Sequence, residues 1–153
     1  KSMGVDIPEN YVFLSLDKKF NGVYAGQSAL KVKPDTISYL TSSIIENFKV
    51  SGADAVYDMK KADGKDPYEF FLSGNQPLVT ITNNKVQDKK LIVFRDSFAS
   101  SIMPLIAQGY SEVTLIDLRY INSAILDQFV DFSDSDVLFL YSTMVLNNAE
   151  TIK

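Results

Sequence analysis

"LIVFRDSFASSIMPLIAQGY", residues 91–110, decides how this chain is read. The apolar run from Leu91 to Phe94 stops at Arg95-Asp96-Ser97, and a helix-like pattern follows at once. A serine at a strand-to-helix turn is where several hydrolase and acyltransferase folds keep their nucleophile. Ser and Asp are also the residues whose oxygens satisfy the first free N–H groups of a helix, so Ser97 has a structural role open to it as well.

Outward from this stretch, apolar runs recur as "LVTIT" (78–82), "VTLI" (113–116) and "VLFLY" (137–141). The runs at 91–94, 113–116 and 137–141 lack polar alternation, as expected of parallel strands covered on both faces. Between them "FASSIMPLIAQG" (98–109) and "NSAILDQFVDF" (122–132) read as helices. Ser100 or Ser101 can cap the first, with Pro104 in its opening turn and Gly109 at its end. The order is β-α-β-α-β over residues 78–153, with right-handed crossovers. Only eight residues separate "LVTIT" from "LIVF". That is too few for a crossover helix, so the two are expected to pair antiparallel if adjacent. Residues 1–77 are irregular in texture, and "KKADGKDP" (60–67) reads as an exposed loop. The expected fold is one α/β domain over 1–153. It has three layers, a mostly parallel flavodoxin-like sheet, an irregular N-terminal part and room for an antiparallel strand.

Composition narrows the chemistry. The chain has 153 residues, enough for one domain that buries ~68–70% of its unfolded surface. A net charge of −4 argues against nucleic acid, which needs a basic surface. No apolar run approaches the ~20 residues that span a bilayer. With no cysteine there are no disulfides or thiolate ligands; with no histidine there is no imidazole ligand and no Ser-His-Asp triad within the chain. No metal site and no cofactor are expected. The start, "KSMGVDIPEN", has neither a secretory nor a transit pattern and reads as the middle of a longer protein.

Ligands of an open α/β sheet bind beyond the carboxyl ends of its strands. Those ends supply Arg95, Asp96 and Ser97, then Asp117, Arg119 and Tyr120, then Ser142 and Thr143. Arg95 and Arg119 are the only arginines, and both fall at this edge. A guanidinium fork suits carboxylate or phosphate. Alternatively, Asp96 and Asp117 pair with Arg119 and Arg95 and merely lock the edge. No lysine lies near these ends in sequence to act as a base for Ser97. "SGNQP" (73–77) is a natural turn. If it folds toward Ser97, the Asn75 amide can donate to an oxyanion.

Three stretches, "YEFFLSGNQPLVTITN" (68–83), "KLIVFRDSFASSIMPLIAQGYSEVTLIDLRYIN" (90–122) and "SDVLFLYSTMVLNN" (135–148), together resemble the DHHW protein family. "FNGVYAGQSALKVKPDTISYL" (20–40) is similar to that family's irregular middle segment. The family is one of the SGNH-hydrolase-like domains related to polysaccharide O-acetyltransferases. The resemblance implies acyl transfer or ester hydrolysis on a cell-envelope carbohydrate, and an exported, extracellular or envelope location. In the acetyltransferase relatives an Asp-x-His element precedes a Gly-Asp-Ser element that carries the nucleophile. Carried over, Asp96-Ser97 falls on the second element and makes Ser97 the candidate nucleophile. Arg95 stands where glycine is usual, and "DLRYI" (117–121) has no oxyanion-hole glycine, so Arg119 is the substitute candidate there. The family's Asp-His-His-Trp motif is absent, because the chain has neither histidine nor tryptophan. The expectation is a C-terminal portion of a longer domain, inert by itself. Its rivals are a non-catalytic module that binds a carbohydrate or a small acyl or anionic ligand through Arg95, Arg119 and the Ser97 N–H, and a structural envelope protein.

Overall fold

Seven strands among the described residues form two sheets in the computed structural model, which describes residues 10–28 and 31–152. The smaller sheet pairs β1 (Val12–Phe20) antiparallel with β2 (Asp35–Thr41). The larger contains β3 (Lys49–Ser51), β4 (Leu78–Thr82), β5 (Lys90–Arg95), β6 (Glu112–Ile116) and β7 (Ser135–Leu140), in the order β3-β4-β6-β5-β7. β5 runs parallel to both β6 and β7, while β4 is antiparallel to β6 and to β3.

This corrects the expected three-layer, mostly parallel, flavodoxin-like architecture. The main sheet is mixed, half of its pairings being antiparallel, and a separate two-stranded sheet occupies part of the region read as irregular. β4 and β5 are not partners either, because β6 lies between them and pairs with both. An unbroken apolar run signals burial on two faces but does not name its neighbour.

The helices are too short to make full layers: α1 (Val23–Ser28), α2 (Met59–Ala62), α3 (Met103–Ala107) and α4 (Thr143–Asn147). The helix expected from residue 98 is split. Asp96, rather than Ser100 or Ser101, is the cap, and its carboxylate accepts from the Phe98 N–H. That cap opens a 3-10 turn, Ser97–Ser101, which uses up the first half of the segment before α3 begins. Pro104 falls in the first turn of α3, where its missing N–H costs nothing. The segment 122–132 forms a 3-10 helix, Ser123–Gln128, capped by Asn122.

One face of the large sheet, built from Val79, Ile81, Val93 and Leu115, packs under Ala99, Met103 and Ala107. The other, Ile92, Phe94 and Ile116, packs under Leu126 and Val130. Each of the larger side chains, the alanines aside, contributes ≈ 1.5–3 kcal/mol when fully buried. The edge strand β7 is different: Val137 is 49% and Phe139 is 67% exposed, so the expectation of cover on both faces fails there. Phe139 is left stacked on Phe94, with ring centroids 4.8 Å apart. A third cluster, Leu16, Ile37, Phe70 and Phe71 with Tyr39 and Tyr57, joins the small sheet to the 3-10 helix Pro67–Phe70.

Two tight turns brace the large sheet. Leu72, Ser73 and Gly74 all have positive φ (56°, 57° and 86°), a left-handed run that costs non-glycine residues energy. Ser73 is held there by donating to Asp58 Oδ2 at 2.8 Å and accepting from the N–H groups of Asp54 and Ala55. Gly52 (φ 80°) lies so close to β4 that a Cβ would sit 2.1 Å from the Leu78 carbonyl oxygen.

Candidate functional site

Because β5 and β6 are parallel neighbours, the residues that follow them emerge at one edge of the sheet. Ser97 and Arg119 therefore share that edge, with Ser142 beyond β7 on the other side of β5. Asp96 is the tie. Its Oδ1 accepts from the Phe98 N–H at 3.0 Å and its Oδ2 from the Ser142 N–H at 2.7 Å, joining the end of β5 to the start of α4.

Ser97 is half-buried, and no hydrogen bond engages its hydroxyl among the described residues. It lies in the wall of an open groove of about 600 Å³, shared with the end of β1, α1 and the 3-10 helix at Pro67. Tyr68 closes the floor: its hydroxyl donates to the Phe98 carbonyl at 3.1 Å, with Ser101 Oγ 3.2 Å away.

The two arginines differ sharply. Arg119 donates from Nε to Asp117 Oδ1 at 2.9 Å and from Nη2 to Oδ2 at 2.6 Å, a two-pronged pair whose carboxylate is fully buried. That bonding raises the pKa of Arg119. Arg95 is wholly buried and donates from Nη1 to Ser100 Oγ at 3.0 Å; its Nε and Nη2 have no acceptor among the described residues. Burial lowers its pKa, while the nearby Asp117 carboxylate works the other way. Neither of the two crossed pairs weighed from the sequence is present: Asp117 pairs with Arg119, Asp96 accepts from backbone N–H groups, and Arg95 bonds to neither carboxylate.

Asn75 is exposed in its turn and is not part of the groove wall. The residues that sequence reasoning missed are Lys19, Tyr24, Lys65 and Tyr68, which share the groove with Ser97. They come from segments far apart in sequence and carry no motif, so only the fold gathers them. They also bring lysines to the vicinity of Ser97, which spacing along the chain did not show. No group of three or more acidic, histidine or cysteine side chains is placed to hold a metal among the described residues. No helix among them is long and apolar enough to cross a membrane.

A mixed five-stranded sheet with a serine at the mouth of a groove, beyond its central parallel strand, defines the class of domain. That fold recurs in solved structures. The crystal structure of a DHHW family protein from Eubacterium siraeum matches 98% of this chain with a TM-score of 0.70 and 23% identity. Bacillus cereus PatB1 with a sulfonyl adduct matches 94% with a TM-score of 0.64 and 22% identity, and a second structure of PatB1 matches 90% at 0.60 and 22%. At these identities the fold is what is shared. The chain spans only 55%, 53% and 50% of the length of those three structures. No family model matches the sequence. No curated protein matches it either.

Proposed function

We propose that this chain is part of a DHHW-like, SGNH-type domain that transfers or hydrolyses an acyl ester on a cell-envelope carbohydrate, with Ser97 as the nucleophile. The observation that carries the reading is Ser97 itself: half-buried at the end of β5, its hydroxyl unengaged among the described residues, facing an open groove. A serine that served only as a cap would spend its oxygen on a helix N–H, and here Asp96 does that work. The sulfonyl adduct on PatB1 is consistent with this reading, since sulfonylating reagents capture activated nucleophiles.

An alcohol needs a base to attack an ester. The chain contains no histidine, so in this proposal an Asp-x-His element comes from polypeptide outside these 153 residues. Arg119 has its fork occupied and its charge matched by Asp117, leaving the oxyanion to backbone N–H groups. Export follows only from the family resemblance.

The test is labelling with a fluorophosphonate probe, read by peptide mass spectrometry. The 153-residue chain should leave Ser97 unlabelled, since general-base assistance is worth ~10²–10⁴-fold. A longer native chain carrying the Asp-x-His element should be labelled at Ser97, and Ser97→Ala should abolish this. A longer chain that contains the histidine, folds and stays unlabelled would exclude catalysis. The second reading, a non-catalytic module for a carbohydrate or anionic ligand, is favoured by the absence of histidine to act on Ser97.

A further inference from the structure

The groove that holds Ser97 has a charge pattern opposite to that of the molecule. The chain carries a net charge of −4, yet Lys19 and Lys65 both line this groove. Other lysines close by are already paired, Lys18 with Asp63 at 2.6 Å and Lys61 with Glu69 at 3.3 Å. Lys19 and Lys65 are exposed, and neither has a carboxylate partner among the described residues. The one acidic side chain in the wall among the described residues, Asp66, is partly committed, accepting from the Tyr68 N–H at 3.0 Å.

Its apolar surface is equally particular. Tyr24 is 50% and Phe98 is 44% exposed, with ring centroids 5.5 Å apart and planes tilted by 50°. Behind them Phe20 stacks on Tyr68 at 5.7 Å. Solvent-facing rings lose the gain of burial unless something covers them. A pyranose ring offers such a cover: a flat C–H face for the rings, and hydroxyls for Asn21 and Asp66 at the rim. A long acyl chain would instead need an enclosed aliphatic tunnel, whereas this groove is open and its larger apolar walls are aromatic.

We propose that the groove binds a sugar chain bearing carboxylates, a polyuronate-type ligand. Tyr24 and Phe98 stack on its rings, and Lys19 and Lys65 select its charge. The inference rests on the Ser97 reading for what is done to the ligand, but its binding can be measured separately.

The experiment is isothermal titration calorimetry of this chain with polygalacturonate oligomers, with dextran oligomers of equal length and with palmitate, at low and raised salt. Polygalacturonate should bind, weaken as salt rises, and bind more tightly than dextran or palmitate. The exposed pair change Lys19→Glu with Lys65→Glu should lower its affinity about tenfold, by turning two attractive charges repulsive. Tyr24→Ala should weaken it as well, with circular dichroism confirming that each variant is folded. Equal binding of dextran, preference for palmitate, or full affinity in the folded lysine double variant would each overturn the proposal. Binding is read by calorimetry and reactivity by labelling, so an unreactive Ser97 leaves this result standing, and lack of binding leaves the labelling result intact.

Discussion

Asp117 answers two guanidinium groups while bonding only one. It is fully buried, takes both prongs of Arg119, and lies near enough to Arg95 to offset part of that residue's burial. Asp117→Asn should therefore destabilise the fold by about 3–5 kcal/mol, because it strands buried positive charge. Arg95→Met should be near neutral or stabilising, since two of its N–H-bearing nitrogens already lack acceptors. Urea denaturation checks both, and equal losses would mean that Arg95 is itself a needed counter-ion. Asp58 supplies a pH-dependent counterpart. Burial pushes its carboxyl up, but donation from Ser73 and from the N–H groups of Lys61 and Lys60 outweighs this and leaves the folded pKa depressed. Its contribution is thus complete above the unfolded value of ≈ 3.9 and is lost as pH falls through the lower folded value. Asp58→Asn should flatten stability against pH in that acid window, as measured by thermal melts from pH 6 downward.

Elements stand or fall on a few close approaches. Gly52→Ala should cost more than about 2 kcal/mol, because the new methyl would meet the Leu78 carbonyl and the φ is left-handed. A loss in thermal melts below about 1 kcal/mol, the usual glycine-to-alanine backbone scale, would show that β3 can move away from β4. The same closeness explains what the sequence could and could not reveal. The runs that became β5 and β6 are legible because unbroken apolar stretches mark buried strands, and β4 is legible from the alternation of "LVTIT"; the same apolar signal located β7 but overstated its burial. Their order is not, since nothing in "LVTIT" or "LIVF" says that a later strand will lie between them. The helices were read too long because Asp96 and Asn122 cap 3-10 turns, and side-chain periodicity over a few residues does not separate these from α-helix. β1 and β2 lacked a clear strand pattern: most β1 residues are exposed, with Leu16 its one fully buried position. Ser97, Arg95 and Arg119 were legible as a shared edge because strand ends are sequence-visible. The groove was not, because its walls come from three separate segments.

At the scale of the molecule, the two sheets differ in how firmly they are held. β5 has five consecutive buried residues and partners on both sides. β1 has one hydrogen-bonded neighbour among the described residues, and its ladder with β2 is irregular between Ser15 and Lys19. Backbone opening follows buried contact, so amide hydrogen exchange should be slowest in β5 and β6 and fastest in β1, by several orders of magnitude in rate. The aromatic cluster of Tyr39, Tyr57, Phe70 and Phe71 should set the protection of β2 between these extremes. Equal protection in β1 and β5 would mean that the molecule opens only as one unit.

The insertion of β6 between β4 and β5 also sets a timetable. On a ribosome β4 and β5 emerge one after the other, yet they cannot zip together as a hairpin without occupying the place reserved for β6. The central ladder must wait until residues 112–116 have cleared the exit tunnel. During synthesis, then, β4 and the water-averse β5 both stay uncovered until β6 arrives, and the nascent chain has most need of a chaperone just before its sheet can close.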